Sequence, residues 1–241
     1  MSRQGTRSPP LPSEKYMRNI MFLIIFIVFN SQAAGLQDLT NRDVVAGLKT
    51  ALNKGTAQAV ANLGKMDGFF GNERVKIPLP DALQKAEHTL RNFGMDKYAD
   101  ELVLTMNRAA EAAVPEAKIL LVAAVKDISV QDAKGILSGG DTSATEYFRR
   151  KTSAKIAVKF LPIVQLATAK VGVTQKYKQL AGNAARYGLL DESESNLDGY
   201  ITRKTLDGIF LMIADEEKEI RAHPFEQGST LLKKVFGSLL N

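Results

Sequence analysis

Thr40–Leu63, TNRDVVAGLKTALNKGTAQAVANL, decides the fold. Thr40 caps a helix start, and Asp43 favours the positive end of its dipole. Val44, Leu48, Ala51, Leu52, Gly55, Ala59 and Leu63 then recur at helical spacing. The alanine and glycine members let a second helix approach closely. One face of this segment must be covered by other helices, because an isolated helix draws little stability from propensity alone.

Working outward, the same period returns. Pro80-Asp81 opens a short helix through Asn92, ended near Gly94. Asp96 to about Val125 predicts a long helical pair interrupted at Pro115. Ser129-Val130-Gln131-Asp132 is a further cap, and its helix ends at Gly139-Gly140. Asp141 or Thr142 caps the next, which runs through Phe160, breaks at Pro162 and resumes from Ile163 to Val171. Thr174–Tyr187 is closed by Gly188. Leu197–Arg221 is long, with an apolar centre, and Pro224 stops it. Leu231 to Leu240 forms a last amphipathic helix. The exception is Met66 to Pro80, punctuated by Gly68, Gly71, Pro78 and Pro80. Phe69-Phe70 and Val75-Lys76-Ile77 flank Gly71-Asn72 there, which predicts one short β-hairpin near 69–77. The expected fold is all-α, a single-domain bundle of about eight to ten helices over 34–241.

Upstream, Ile20 to Phe29 is an unbroken apolar run, preceded by Lys15 and Arg18 and followed by Ser31-Gln32-Ala33. That is the pattern of a signal peptide cleaved after Ala33, with Ala34 as the near alternative. The run is shorter than the roughly 20 residues a spanning helix needs, which disfavours the alternative of an uncleaved anchor. Residues 1–33 are therefore expected to be removed, leaving a periplasmic or secreted protein that is not integral to a membrane. Translation from Met17 would give a more compact leader than translation from Met1. No cysteine occurs, so there is no disulfide, no thiolate nucleophile and no lipid-bearing cysteine.

The net charge of +6 is shared with the leader, where Arg3, Arg7, Lys15 and Arg18 face only Glu14. The remaining balance of +3 is too mild for a nucleic-acid partner. Tryptophan is absent and aromatics are 7%, which lowers the weight of sugar stacking. Only two histidines exist, His88 and His223. No zinc-ligand spacing, His-Glu-x-x-His, Gly-x-Ser-x-Gly, Ser-x-x-Lys or phosphate-cradling glycine loop occurs. Asp191-Glu192-Ser193-Glu194-Ser195 lacks the glycine and the twelfth-position glutamate of a calcium loop; Asn196 and Thr202 stand there. No catalytic residue, metal ligand or cofactor is assigned.

The informative residues are polar groups on apolar stripes. Asn107 lies with Val103, Ala110 and Val114; Arg150 with Ala154, Ala157 and Leu161; Glu216 with Ile209, Ile213 and Ile220. A buried charge needs a partner. The expectation is that Arg150, or its neighbour Arg149, pairs with Glu216 or Asp207 inside the bundle, as a packing device or as the lining of a pocket. Lys151, Lys155 and Lys159 make a basic ridge at four-residue spacing, which a solvated face or contact with anionic headgroups would explain.

Five runs match a known pattern: Val75-Lys76-Ile77-Pro78-Leu79-Pro80, Met106-Asn107-Arg108-Ala109-Ala110-Glu111, Ala144-Thr145-Glu146-Tyr147-Phe148-Arg149-Arg150, Leu206 to Ala214, and Leu231 to Gly237. Through them the chain resembles the bacterial family catalogued as domain of unknown function 4197, over essentially all of 34–241. The resemblance implies a secreted bacterial helical domain and carries no catalytic or ligand residue. Two functions stay open. One is a non-enzymatic binding or envelope-associated module, holding an apolar small molecule or an envelope protein. The other is a hydrolase working by carboxylates alone, with Glu111, Asp207, Asp215 and Glu216 as its first acids.

Overall fold

Thr40 and Asp43 start the first helix by a reciprocal cap. The Asp43 N–H donates to Thr40 Oγ1 at 3.1 Å, and the Thr40 N–H donates to Asp43 Oδ2 at 3.3 Å. Lys234 reaches the same carboxylate at 3.0 Å, so its ammonium, and then the Thr40 hydroxyl, hold Asp43 below the ordinary aspartate pKa. In a computed structural model, which describes residues 39–127, 133–186 and 196–240, this helix is α1, Asn41–Leu63. It is followed by α2 (Asp81–Asn92), α3 (Asp96–Lys126), α4 (Ala133–Leu137), α5 (Ser143–Val171), α6 (Val173–Arg186), α7 (Leu197–Ala222), a 3₁₀ turn (Pro224–Glu226) and α8 (Thr230–Gly237). The protein is an all-α single domain. The leader region, the Ser129–Asp132 cap, the Gly188 stop and the acidic loop 191–195 lie outside the described residues.

Four long helices close a ring: α1 packs on α3 and α7, and α5 packs on the same two. All four neighbours run antiparallel. Lys49 near the start of α1 donates to the Lys126 carbonyl at the end of α3, while Gly64, just past α1, abuts Pro115. Gly55 of α1 lies on Ile213 of α7. At one end Ala144 of α5 meets Glu217 of α7, and at the other Thr168 meets Asp198. This is an up-down bundle. Its centre includes Phe148 and Phe210, packed edge to face with ring centroids 5.6 Å apart. Every member of the α1 stripe read from the sequence is buried.

Gly47 sets how closely α8 lies on α1. A Cβ added there would sit 2.7–2.8 Å from the Val235 side chain. Gly47→Ala is therefore expected to cost about 1–3 kcal/mol by overpacking. Val235→Ala in the same chain should recover part of that cost in urea unfolding; simple additivity of the two losses would disprove the clash.

Two sequence expectations are corrected. Pro115 and Pro162 do not interrupt their helices; each sits inside one continuous helix, α3 and α5. Both prolines face outward, where water can satisfy the carbonyl released one turn earlier, while the opposite face holds the core. The hairpin near 69–77 is also absent: no strand occurs among the described residues. A chain of turns runs instead, with the Gly71 N–H donating to Asp67 O and the Asn72 N–H to Phe69 O.

Candidate functional site

Side chains of α3 take the place of a partner strand for segment 66–80. The Glu111 carboxylate accepts the Phe69 and Phe70 N–H groups at 3.0 and 3.1 Å, and Arg108 pairs with it at 2.6 Å. Arg108 also holds Asp67, whose backbone is left-handed at φ 62°. One turn earlier the Asn107 amide accepts from Ile77 N–H at 2.8 Å and donates to Ile77 O at 2.9 Å. Its other amide hydrogen goes to Val103 O. Asn107 is thus buried, as its stripe implies, and every hydrogen of its amide is spent on structure. Phe69 is buried under Gly208, so it pins the loop rather than meeting a ligand.

The buried acid of α7 is Glu217, not Glu216. It accepts from Ala144 N–H, Thr145 N–H, the Thr145 hydroxyl and the Arg221 guanidinium, all at 2.7–3.0 Å. Thr142 makes no side-chain cap, so Glu217 caps α5 from across the bundle. Arg221 continues to the Leu137 carbonyl at 2.8 Å and lies over the Phe236 ring. Glu216 is turned to the rim, paired with Lys54 at 2.8 Å. Arg150 is 67% exposed, and its ion-pair partner is Glu146 at 4.0 Å. The predicted pairing of Arg149 with Asp207 does form, but on the surface, with both side chains about half exposed.

That pair lines a cleft of about 480 Å³ between segment 74–78, the first turns of α5 and the middle of α7. Three of its five cations are answered, Arg74 by Asp215 at 2.7 Å, Lys76 by Glu73 at 3.0 Å, and Arg149 by Asp207, whereas Lys204 and Lys218 pair with no carboxylate among the described residues. Of the four acids proposed for a hydrolase, Asp207 lines this cleft, Glu111 is spent on the loop, and Asp215 and Glu216 each hold a cation. Among the described residues no group of three metal-ligating side chains exists, and His88 and His223 are both exposed.

A different groove sets a row of three lysines beside an apolar floor. Small side chains on α3, Ala123 and Ala124, leave a gap of about 310 Å³ against α5. Leu120, Tyr147 and Ile156 complete an apolar floor, and Lys151, Lys155 and Lys159 form one rim. Lys151 lies over the Tyr147 ring at 5.8 Å; among the described residues no carboxylate pairs with any of the three lysines. Asp127 stands at the end of the groove. Like charges at four-residue spacing destabilise a helix by about 0.2–0.5 kcal/mol per pair, a cost that this ridge carries without a carboxylate partner among the described residues. The sequence marked the ridge but not the gap, which depends on which α3 residues face α5.

No curated protein and no solved structure matches this chain. A family model described as protein of unknown function (DUF4197) matches residues 38–237, and the chain belongs to that family.

Proposed function

We propose that the protein is a non-enzymatic binding module of the bacterial envelope, exported by a leader cleaved after Ala33, and that its α3/α5 groove takes an amphiphile with an apolar body and an anionic head. The observation that carries this reading is the groove itself: an apolar floor beside three lysines that pair with no carboxylate among the described residues. Binding sites are concave, mostly apolar and equipped with a few polar groups that orient the ligand. The lysine stems extend the apolar wall while their ammonium groups stay at the rim. The carboxylates offered for hydrolysis are engaged by cations or backbone N–H groups, and this favours the binding reading over that alternative.

The test is native mass spectrometry of the protein purified gently from a bacterial periplasm, followed by titration with the fluorescent fatty acid cis-parinaric acid. The expected result is a mass excess released by organic solvent and saturable binding of the probe. Ala123 is exposed at the groove, so Ala123→Trp fills it without entering the core. That variant is expected to bind the probe at least tenfold more weakly. A bare mass together with no saturable binding would overturn the reading.

A further inference from the structure

α5 is apolar on two opposite sides. Ile156, Phe160 and Val164 face the core, as a bundle helix requires. Its outward surface carries two parallel rows at four-residue spacing, every member exposed: Lys151, Lys155, Lys159 and, beside it, Ala154, Val158, Pro162, Leu166, Lys170. Val158 is 77% exposed and Leu166 75%. On α3, Ile119 is 72% exposed, one turn before the groove residue Ala123. Single exposed apolar side chains need no explanation, but a row of them on a helix face does. A helix whose outer face met only water would be polar there.

We infer that this face docks on a bilayer containing anionic phospholipid, with Val158, Pro162, Leu166 and Ile119 at the acyl boundary and the lysine row against the headgroups. Charge complementarity selects this occupant, since lysines that pair with no carboxylate among the described residues, set beside an apolar row, are the composition of an interfacial helix. The rows extend over residues 151–170, roughly 30 Å along a helix. The inferred docking is on the surface: no single described helix is long and apolar enough to span, and α5 with α6 reaches that length and composition only as a pair bent by 70°. The inference rests on the groove reading for its ligand, because the amphiphile entering the groove would come from that surface.

The experiment is co-sedimentation of the full protein with phosphatidylcholine vesicles, with and without phosphatidylglycerol, at low and high salt. Binding is expected only with phosphatidylglycerol and should fall as salt rises. Each lysine near an anionic surface contributes about fivefold, so Lys151→Glu, Lys155→Glu and Lys159→Glu together should weaken binding by about a hundredfold or more. Val158→Asp with Leu166→Asp should abolish it while leaving thermal unfolding and cis-parinaric acid binding unchanged, since both positions are exposed. Equal binding to both vesicle types, wild-type binding by both variants, or a dimer dispersed by Val158→Asp would overturn the inference. Vesicle binding without probe binding would support docking and remove the groove reading; probe binding without vesicle binding would do the reverse.

Discussion

Glu217→Ala is expected to lose about 3–5 kcal/mol of stability, the cost of breaking a buried ion pair from one side. Three consequences add up. Arg221 is left as a buried cation without its carboxylate, the Ala144 and Thr145 N–H groups lose their acceptor, and the start of α5 loses its cap. For a domain of this size the midpoint of thermal unfolding should fall by roughly 6–20 °C. Glu216→Ala is the control, because its partner Lys54 is well exposed and such pairs contribute about 0–1 kcal/mol. Arg221→Met added to Glu217→Ala should recover part of the loss by removing the unpaired charge. Equal effects of Glu217→Ala and Glu216→Ala would show that the buried cap does not hold the bundle.

The contrast between those two glutamates shows where the sequence is legible. Ile213 and Ile220 define the inward face of α7, but Glu216 and Glu217 are both compatible with it, at three and four residues from Ile213. The deciding signal is Arg221, four residues after Glu217, which offers the partner a buried carboxylate needs. The helices themselves were readable because apolar period and caps coincide, as in α1. Pro115 and Pro162 misled, since a proline's effect depends on whether it faces water or core. The turn-rich segment 66–80 misled for another reason: its backbone partners are the distant side chains of Asn107 and Glu111, which no local pattern reveals. The sequence implies the pairing of Arg149 with Asp207 but not its exposure, because a guanidinium and a carboxylate also pair at a surface. Of the two α5 rows, the sequence makes only one legible. The lysines are visible as a repeat, whereas Val158 and Leu166 merge with the core stripe until the helix is oriented.

Asn107→Leu is expected to cost about 2–6 kcal/mol, because an isosteric apolar side chain leaves both Ile77 backbone groups buried without partners, at about 1–3 kcal/mol each. Urea unfolding measures the loss. The damage should be local first. Glu111 still holds Phe69 and Phe70, but residues 74–80 lose their anchor to α3, so limited proteolysis should cut there before the bundle opens. Asn107→Asp separates donor from acceptor. Its carboxylate can still accept from Ile77 N–H, but it cannot donate to Ile77 O or Val103 O, and it adds a buried charge. It is therefore expected to be at least as damaging as Asn107→Leu at neutral pH and to recover partly at low pH, where the protonated acid donates again. Proteolysis at 74–80 unchanged in both variants would mean that Asn107 is not the anchor. Neither substitution touches the outward rows of α5, so vesicle binding by the folded fraction should be preserved. Asn107 is thus expected to serve the architecture and to take no part in the proposed docking face.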